Sequence, residues 1–167
     1  MNYAKITKHD IANGRGVRVV LWVSGCSHHC TGCQNPDTWD DDYGSRFEAS
    51  DLSDIITLLR EDWISGLTLS GGDPLKPSNV DICTIVAACA KSNVPNKDIW
   101  CWTGYTWDEI IVREDCKYIL QCIDVLVDGE FIQDKYDISL KWRGSSNQRV
   151  IDVKKSFQAG KVVLYCD

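Results

Sequence analysis

No stretch of the sequence stays apolar for long. The most apolar run, residues 19–23, falls far short of the roughly 20 residues that a membrane-spanning helix needs. The opening ten residues are polar and mixed, unlike the apolar core of an export signal. The expectation is a soluble, cytoplasmic protein with no membrane partner. A basic excess is missing too. Eighteen Lys and Arg stand against 24 Asp and Glu, a net charge of −6, and no basic run exceeds Lys154-Lys155. Proteins that grip a phosphate backbone rely on a positive field, so no nucleic acid is expected as partner. Internal repeats and low-complexity linkers are also absent. At 167 residues the chain reads as one domain, 1–167, with its core at about 13–153.

Cysteine, by contrast, is plentiful: there are nine. An odd count leaves at least one outside any full disulfide scheme. Without an export signal the thiols are expected to stay reduced, as metal ligands or packing residues. Cys83, Cys89, Cys101, Cys116, Cys122 and Cys166 are scattered through apolar surroundings and read as small buried hydrophobes. The other three stand together.

The rest of the chain alternates β-like runs with helical patterns. Residues 17–23 form a continuous β-branched and aromatic run, predicting a buried strand. Ser50 or Asp51 is placed to cap a helix running to residue 60, with Leu52, Ile55, Ile56 and Leu59 on one face. Residues 66–70 predict a second strand. Val80, Ile82, Ile85, Val86 and Cys89 mark a second helix, closed by Asn93 and Pro95. Further strands are predicted at 99–102 and 124–127, with helical turns at 106–112 and 116–122. Weaker strand patterns cover 149–153 and 162–165. Trp100 and Trp102 alternate with Cys101, so one set should pack in the core.

This order predicts an α/β fold with parallel strands and crossover helices. A closed eight-unit barrel takes about 200 residues or more. The expectation is therefore a partial, laterally open (β/α) barrel. Gly71-Gly72-Asp73, Thr103-Gly104 and Asp128-Gly129 end three strands, at the edge where such folds build their sites. Asp128 there suits either a substrate or cation pocket or a structural role.

The central motif is Cys26-Ser27-His28-His29-Cys30-Thr31-Gly32-Cys33, a C-x3-C-x2-C spacing directly after the first predicted strand. Thiolates suit zinc or iron–sulfur clusters. Three of them leave one iron of a four-iron cluster without a protein ligand. A Cys3His zinc site, with His28 or His29 as fourth ligand, is the alternative that the spacing leaves open.

This motif, followed by Ser70-Gly71-Gly72-Asp73-Pro74-Leu75 after the next strand, resembles the radical S-adenosylmethionine superfamily. Five further segments resemble the branch of glycyl-radical-enzyme activating enzymes that serve anaerobic ribonucleoside-triphosphate reductases. They are Asn13-Gly14-Arg15-Gly16-Val17-Arg18, Asn35-Pro36-Asp37-Thr38-Trp39, the run from Asp98 to Tyr105, the run from Val125 to Phe131, and Trp142-Arg143-Gly144-Ser145-Ser146-Asn147-Gln148. The chain departs from the branch at Arg15, Gly32 and Gln34, where proline and aromatic residues are usual.

The resemblance implies a 4Fe–4S cluster on Cys26, Cys30 and Cys33. It implies S-adenosylmethionine chelating the open iron, with Gly32, Cys33, Gln34, Gly71, Gly72 and Asp73 around it. It places a substrate peptide near Asn13, Gly14, Arg15 and Gly16. The implied partners are the large glycyl-radical subunit of the reductase and an external electron donor such as a flavodoxin-type protein. Other readings are activation of a different glycyl-radical enzyme, or a non-enzymatic zinc or iron–sulfur module.

Overall fold

The β-branched run after Arg15 becomes strand β2 (Val17–Val23). It lies inside a seven-stranded sheet in the computed structural model, which describes residues 1–165. The strand pairs in parallel with β4 (Ile64–Gly71), β4 with β5 (Asp98–Trp102), and β5 with β6 (Val125–Asp128). All four therefore end on the same edge of the sheet. The flanks run the other way. β1 (Asn2–Asp10) is antiparallel to β2, the two-residue β3 (Ser45–Arg46) lies outside it, and β7 (Arg149–Asp152) is antiparallel to β6.

The sheet is mixed and not closed, in the order β3-β1-β2-β4-β5-β6-β7, with its parallel strands in the middle. A strand also stands before residue 13. In β1 a register shift between Tyr3 and Lys5 breaks the period-two pattern, which hides the strand from a reading based on alternation. Tyr3 and Ile6 nevertheless pack against the core.

Alternation along the central strands divides the sheet into two faces. Val19, Leu21 and Val23 of β2, Leu67 and Leu69 of β4, and Cys101 of β5 face the helices. Helix α1 (Ala49–Leu59) covers them with Ile55, Ile56 and Leu59. Its N-cap is Glu48, whose backbone N–H donates to Asp51 Oδ2 at 2.7 Å, so Ser50 and Asp51 lie inside the first turn. Helix α2 (Val80–Asn93) buries Val80, Cys83, Val86, Ala87 and Ala90, while Ile85 is half exposed. Its packing stripe is thus built largely of small residues, with Ile82 and Cys89 packed at its side. The short helices α3 (Trp107–Ile110) and α4 (Lys117–Cys122) complete the layer, and α5 (Val153–Ala159) follows β7. Of the predicted strand at 162–165 only one bridge forms, Leu164 to Ile151.

On the opposite face Trp100, Val125, Val127 and Val150 are buried together, with Trp102, Trp142 and Tyr165 against them. The Trp100 and Trp102 rings stack with centroids 5.8 Å apart. Cys101 thus enters the main core and both tryptophans point the other way. Of the scattered cysteines, Cys83, Cys101 and Cys116 are fully buried, while Cys89 and Cys122 are half-buried. Cys166 lies outside the described residues.

Candidate active site

Beyond β2 the chain turns through Gly25, φ 92°, into the loop that carries Cys26, Cys30 and Cys33. The three thiols are free of disulfides and half-buried. Backbone hydrogen bonds tie this loop to the turn after β4. Gly72 N–H donates to the Val23 carbonyl at 2.7 Å, and Asp73 N–H to the Gly25 carbonyl at 2.8 Å. Asn79, buried at the start of α2, adds side-chain N–H bonds to the Ser24 and Asp73 carbonyls, each 2.9 Å.

Glycine is required in the turn by this contact. Gly71 has φ 106°, and a Cβ there would sit 2.6 Å from the Val23 carbonyl oxygen. A Cβ on Gly72 would lie 2.5 Å from the Gly25 oxygen and 2.8 Å from that of Thr38. The close backbone approach is therefore between turn and cysteine loop.

Asp73 is buried behind the turn. It accepts hydrogen bonds from Leu75 N–H at 2.8 Å, Thr103 Oγ1 at 2.9 Å and Gly104 N–H at 3.0 Å. His28 joins it from the cysteine loop. Its Nε2 stands 3.0 Å from Asp73 Oδ2, off the direction of a good hydrogen bond, and its Nδ1 lies 2.8 Å from Glu130 Oε1. The Asp73 contact, aided by Glu130 and opposed by burial, pushes the imidazole up to about 9. Both ring nitrogens of His28 thus face carboxylates. His29 packs against the Trp39 ring. Among the described residues no three His, Cys, Asp or Glu side chains converge on one metal position.

The thiols suit a larger group. Burial pushes Cys26 up to about 11, while the His28 and His29 amides act in the opposite direction on its sulfur. Burial also raises Cys30. Asn35 N–H donates to Cys33 Sγ at 3.4 Å. Three soft donors on one loop, with Cys30 and Cys33 opening into an adjoining cavity, fit a cluster that keeps one iron accessible.

That cavity, about 430 Å³, lies over the ends of the parallel strands and is the size of a small-molecule site. Gln34, Gly71 and Gly72 line it, together with Thr103, Gly104 and Gly129. Gly32, which is exposed, and the buried Asp73 are not among its lining residues. Of the docking loop, Asn13 reaches the cavity and Gly14, Arg15 and Gly16 do not. The loop is held from below: Thr68 Oγ1 donates to the Asn13 carbonyl at 2.7 Å, and Arg18 Nε donates to Thr68 Oγ1 at 2.7 Å. Arg18 is fully buried and paired with Asp98 at 2.7 Å. Asp128 is also buried, but it accepts from Arg149 at 2.5 Å and from the Trp107 N–H at 2.7 Å. It fastens α3 and β7 to β6, and it is not among the residues that line the cavity. A second hollow of about 580 Å³ lies between Leu120 and Phe157 on the helical face, away from the thiols.

Residues 12–151 match the family model described as a 4Fe-4S single cluster domain. Curated relatives extend the likeness along the chain. An anaerobic ribonucleoside-triphosphate reductase-activating protein of Haemophilus influenzae is 46% identical over 150 residues, covering 89% of this chain and 96% of the relative. Those of Escherichia coli K12 (47% over 153 residues; 90% and 97%) and of Enterobacteria phage T4 (42% over 150 residues; 90% and 93%) carry the same name. The chain belongs to the anaerobic ribonucleoside-triphosphate reductase-activating protein family.

In this family member several residues around the cavity have no role assigned by the sequence reading. Thr103 and Gly104 sit in the Asp98 to Tyr105 segment, and Trp142, Arg143 and Gln148 in the Trp142 to Gln148 segment, both recognised only by resemblance. Asn79 carries no signal beyond that of an ordinary residue before a helix; its importance lies in contacts with loops more than 50 residues away.

Proposed function

We propose that the chain generates a glycyl radical on the large subunit of an anaerobic ribonucleoside-triphosphate reductase, using a 4Fe–4S cluster and S-adenosylmethionine. The observation that carries this reading is the joining of the three-thiol loop to the Gly71-Gly72 turn beside one open cavity. The names of the relatives support the choice of partner.

When bound, the reduced cluster and cofactor supply a 5′-deoxyadenosyl radical able to take a hydrogen atom from a glycine α-carbon. The chain's own residues prepare the place. Cys26, Cys30 and Cys33 would hold three irons and leave the fourth open. Cys26, a protonated thiol when free, must release its proton on binding, and the nearby His28 and His29 amides stabilise the resulting thiolate. Gly71 and Gly72 present backbone to the cofactor, with Gln34 opposite and Gly32 shaping the loop behind it. Asp73 works from behind, orienting the turn through Thr103, Gly104 and His28. Trp22, Trp102 and Phe131 on the cavity wall displace water from the reacting region.

The substrate peptide enters past Asn13, on the loop that continues through Gly14, Arg15 and Gly16. In this reading the open sheet acts as a laterally open partial barrel and Asp128 acts as support. The whole chain works as one domain in the cytoplasm, without nucleic acid or membrane, and an external donor such as a flavodoxin-type protein delivers the electron. The test is anaerobic incubation of the reconstituted protein with reductant, S-adenosylmethionine and the cognate reductase. The expected result is a glycine-centred doublet on the reductase in the electron paramagnetic resonance spectrum, with formation of 5′-deoxyadenosine. Cofactor cleavage without that doublet would refute the activating role.

A further inference from the structure

A single apolar side chain in solvent is ordinary on a protein surface, whereas several around one opening mark a contact surface. Among the described residues the two most exposed large apolar side chains are Ile138, 87% exposed, and Ile11, 80% exposed. They come from opposite flanks of the sheet: Ile11 follows β1, and Ile138 lies between β6 and β7. Both nevertheless stand at one opening. Ala12, next to Ile11, lines the cavity beside Cys30 and Cys33, and so does Leu140, two residues after Ile138. Tyr136, half exposed on the same segment as Ile138, packs its ring against that of Phe131 on the cavity wall, with centroids 6.1 Å apart.

The two isoleucines are presented in the same way. In each case an aspartate stands directly before the isoleucine and braces the turn that carries it. Asp10 Oδ1 accepts the Ala12 and Asn13 N–H groups at 2.8 and 2.7 Å. Asp137 Oδ1 accepts the Ser139 N–H at 2.8 Å and the Ser139 hydroxyl at 2.6 Å, and the Leu140 N–H donates to the Asp137 carbonyl at 3.2 Å. Turns held in this way have little freedom left to lose when a partner covers them. Neither isoleucine lines the cavity itself, so both belong to its rim.

We propose that Ile11 and Ile138 are the two anchor points of a docking surface for the large subunit of the reductase, set on either side of the opening through which its glycine enters. This rests on the proposed function and deepens it. The glycine belongs to another protein and must reach the cavity, so the protein that delivers it covers the rim. The matching surface of that protein is apolar and flanks the segment that carries the glycine. Burying the two isoleucines there supplies binding without touching the cluster loop.

The test measures the calorimetric Kd of the anaerobically reconstituted protein for the cognate reductase, in wild type, Ile11→Lys, Ile138→Lys and the double variant. Val112→Lys is the control, because Val112 is 76% exposed and its neighbours Ile111 and Arg113 line the hollow on the helical face. Iron content and S-adenosylmethionine affinity check that each variant is folded and keeps its site. Each rim substitution is expected to weaken reductase binding about tenfold, and the double variant more than either, with iron and cofactor affinity unchanged. Val112→Lys should bind as wild type does. Wild-type affinity in both rim variants, or an equal loss in Val112→Lys, would overturn the assignment. Failure of iron-loaded wild type to bind the reductase at all would instead sink the choice of partner, and this inference with it.

Discussion

At the scale of single residues, the described cysteines differ in their settings. Cys26, Cys30 and Cys33 share one loop, and Cys30 and Cys33 reach the cavity; Cys83, Cys101 and Cys116 are fully enclosed by apolar neighbours. Replacing any of the first three by Ala is expected to abolish the intact cluster and the activity. Replacing Cys101 by Ala should leave iron near normal and cost about 1–2 kcal/mol of stability, as for a small loss of buried volume. Iron per chain and urea midpoints check this, and an empty site in the Cys101 variant would contradict the three-ligand assignment. These roles are legible in the sequence because spacing alone separates the clustered thiols from the scattered ones. The settings of Asp73 and Asp128 are not, since each depends on partners distant in the chain. Asp128 finds Arg149 and Asp73 finds His28 only once the strands are aligned.

Among elements, the decisive contact joins two loops. The turn after β4 and the cysteine loop after β2 share backbone hydrogen bonds of 2.7 and 2.8 Å, so the two loops cannot shift independently. The positive φ lies at Gly71, and Gly72 instead has no room for a Cβ. Gly72→Val therefore should push the Gly25 and Thr38 carbonyls away and disturb the loop just before Cys26. We expect lowered iron retention together with weaker S-adenosylmethionine binding, read by iron analysis and calorimetry. Full iron with unchanged affinity would show that the two loops are not coupled. The elements themselves were legible where their pattern is strong: β2, β4, β5, β6 and α1 stand close to where periodicity places them. β1 was missed because its bulge interrupts alternation, and the share of Ala87 and Ala90 in the packing of α2 gave no signal because both are small.

For the molecule as a whole, four parallel strands end on one edge and bring together loops from residues 24–35, 71–76, 103–106 and 129–131. The predicted α/β class and its functional edge follow from strand–helix alternation, but the antiparallel flanks do not, because nothing in a short strand's composition declares its direction. No helix among the described residues is long and apolar enough to cross a membrane. In the proposed function this assembly directs hydrogen abstraction from a glycine of the reductase. The direct measurement uses reductase whose glycine residues carry deuterium at the α-carbon, incubated anaerobically with the reduced protein and S-adenosylmethionine. The expected result is deuterium in the methyl group of 5′-deoxyadenosine and collapse of the radical doublet to a singlet. Unlabelled 5′-deoxyadenosine, with no radical on the reductase, would contradict it.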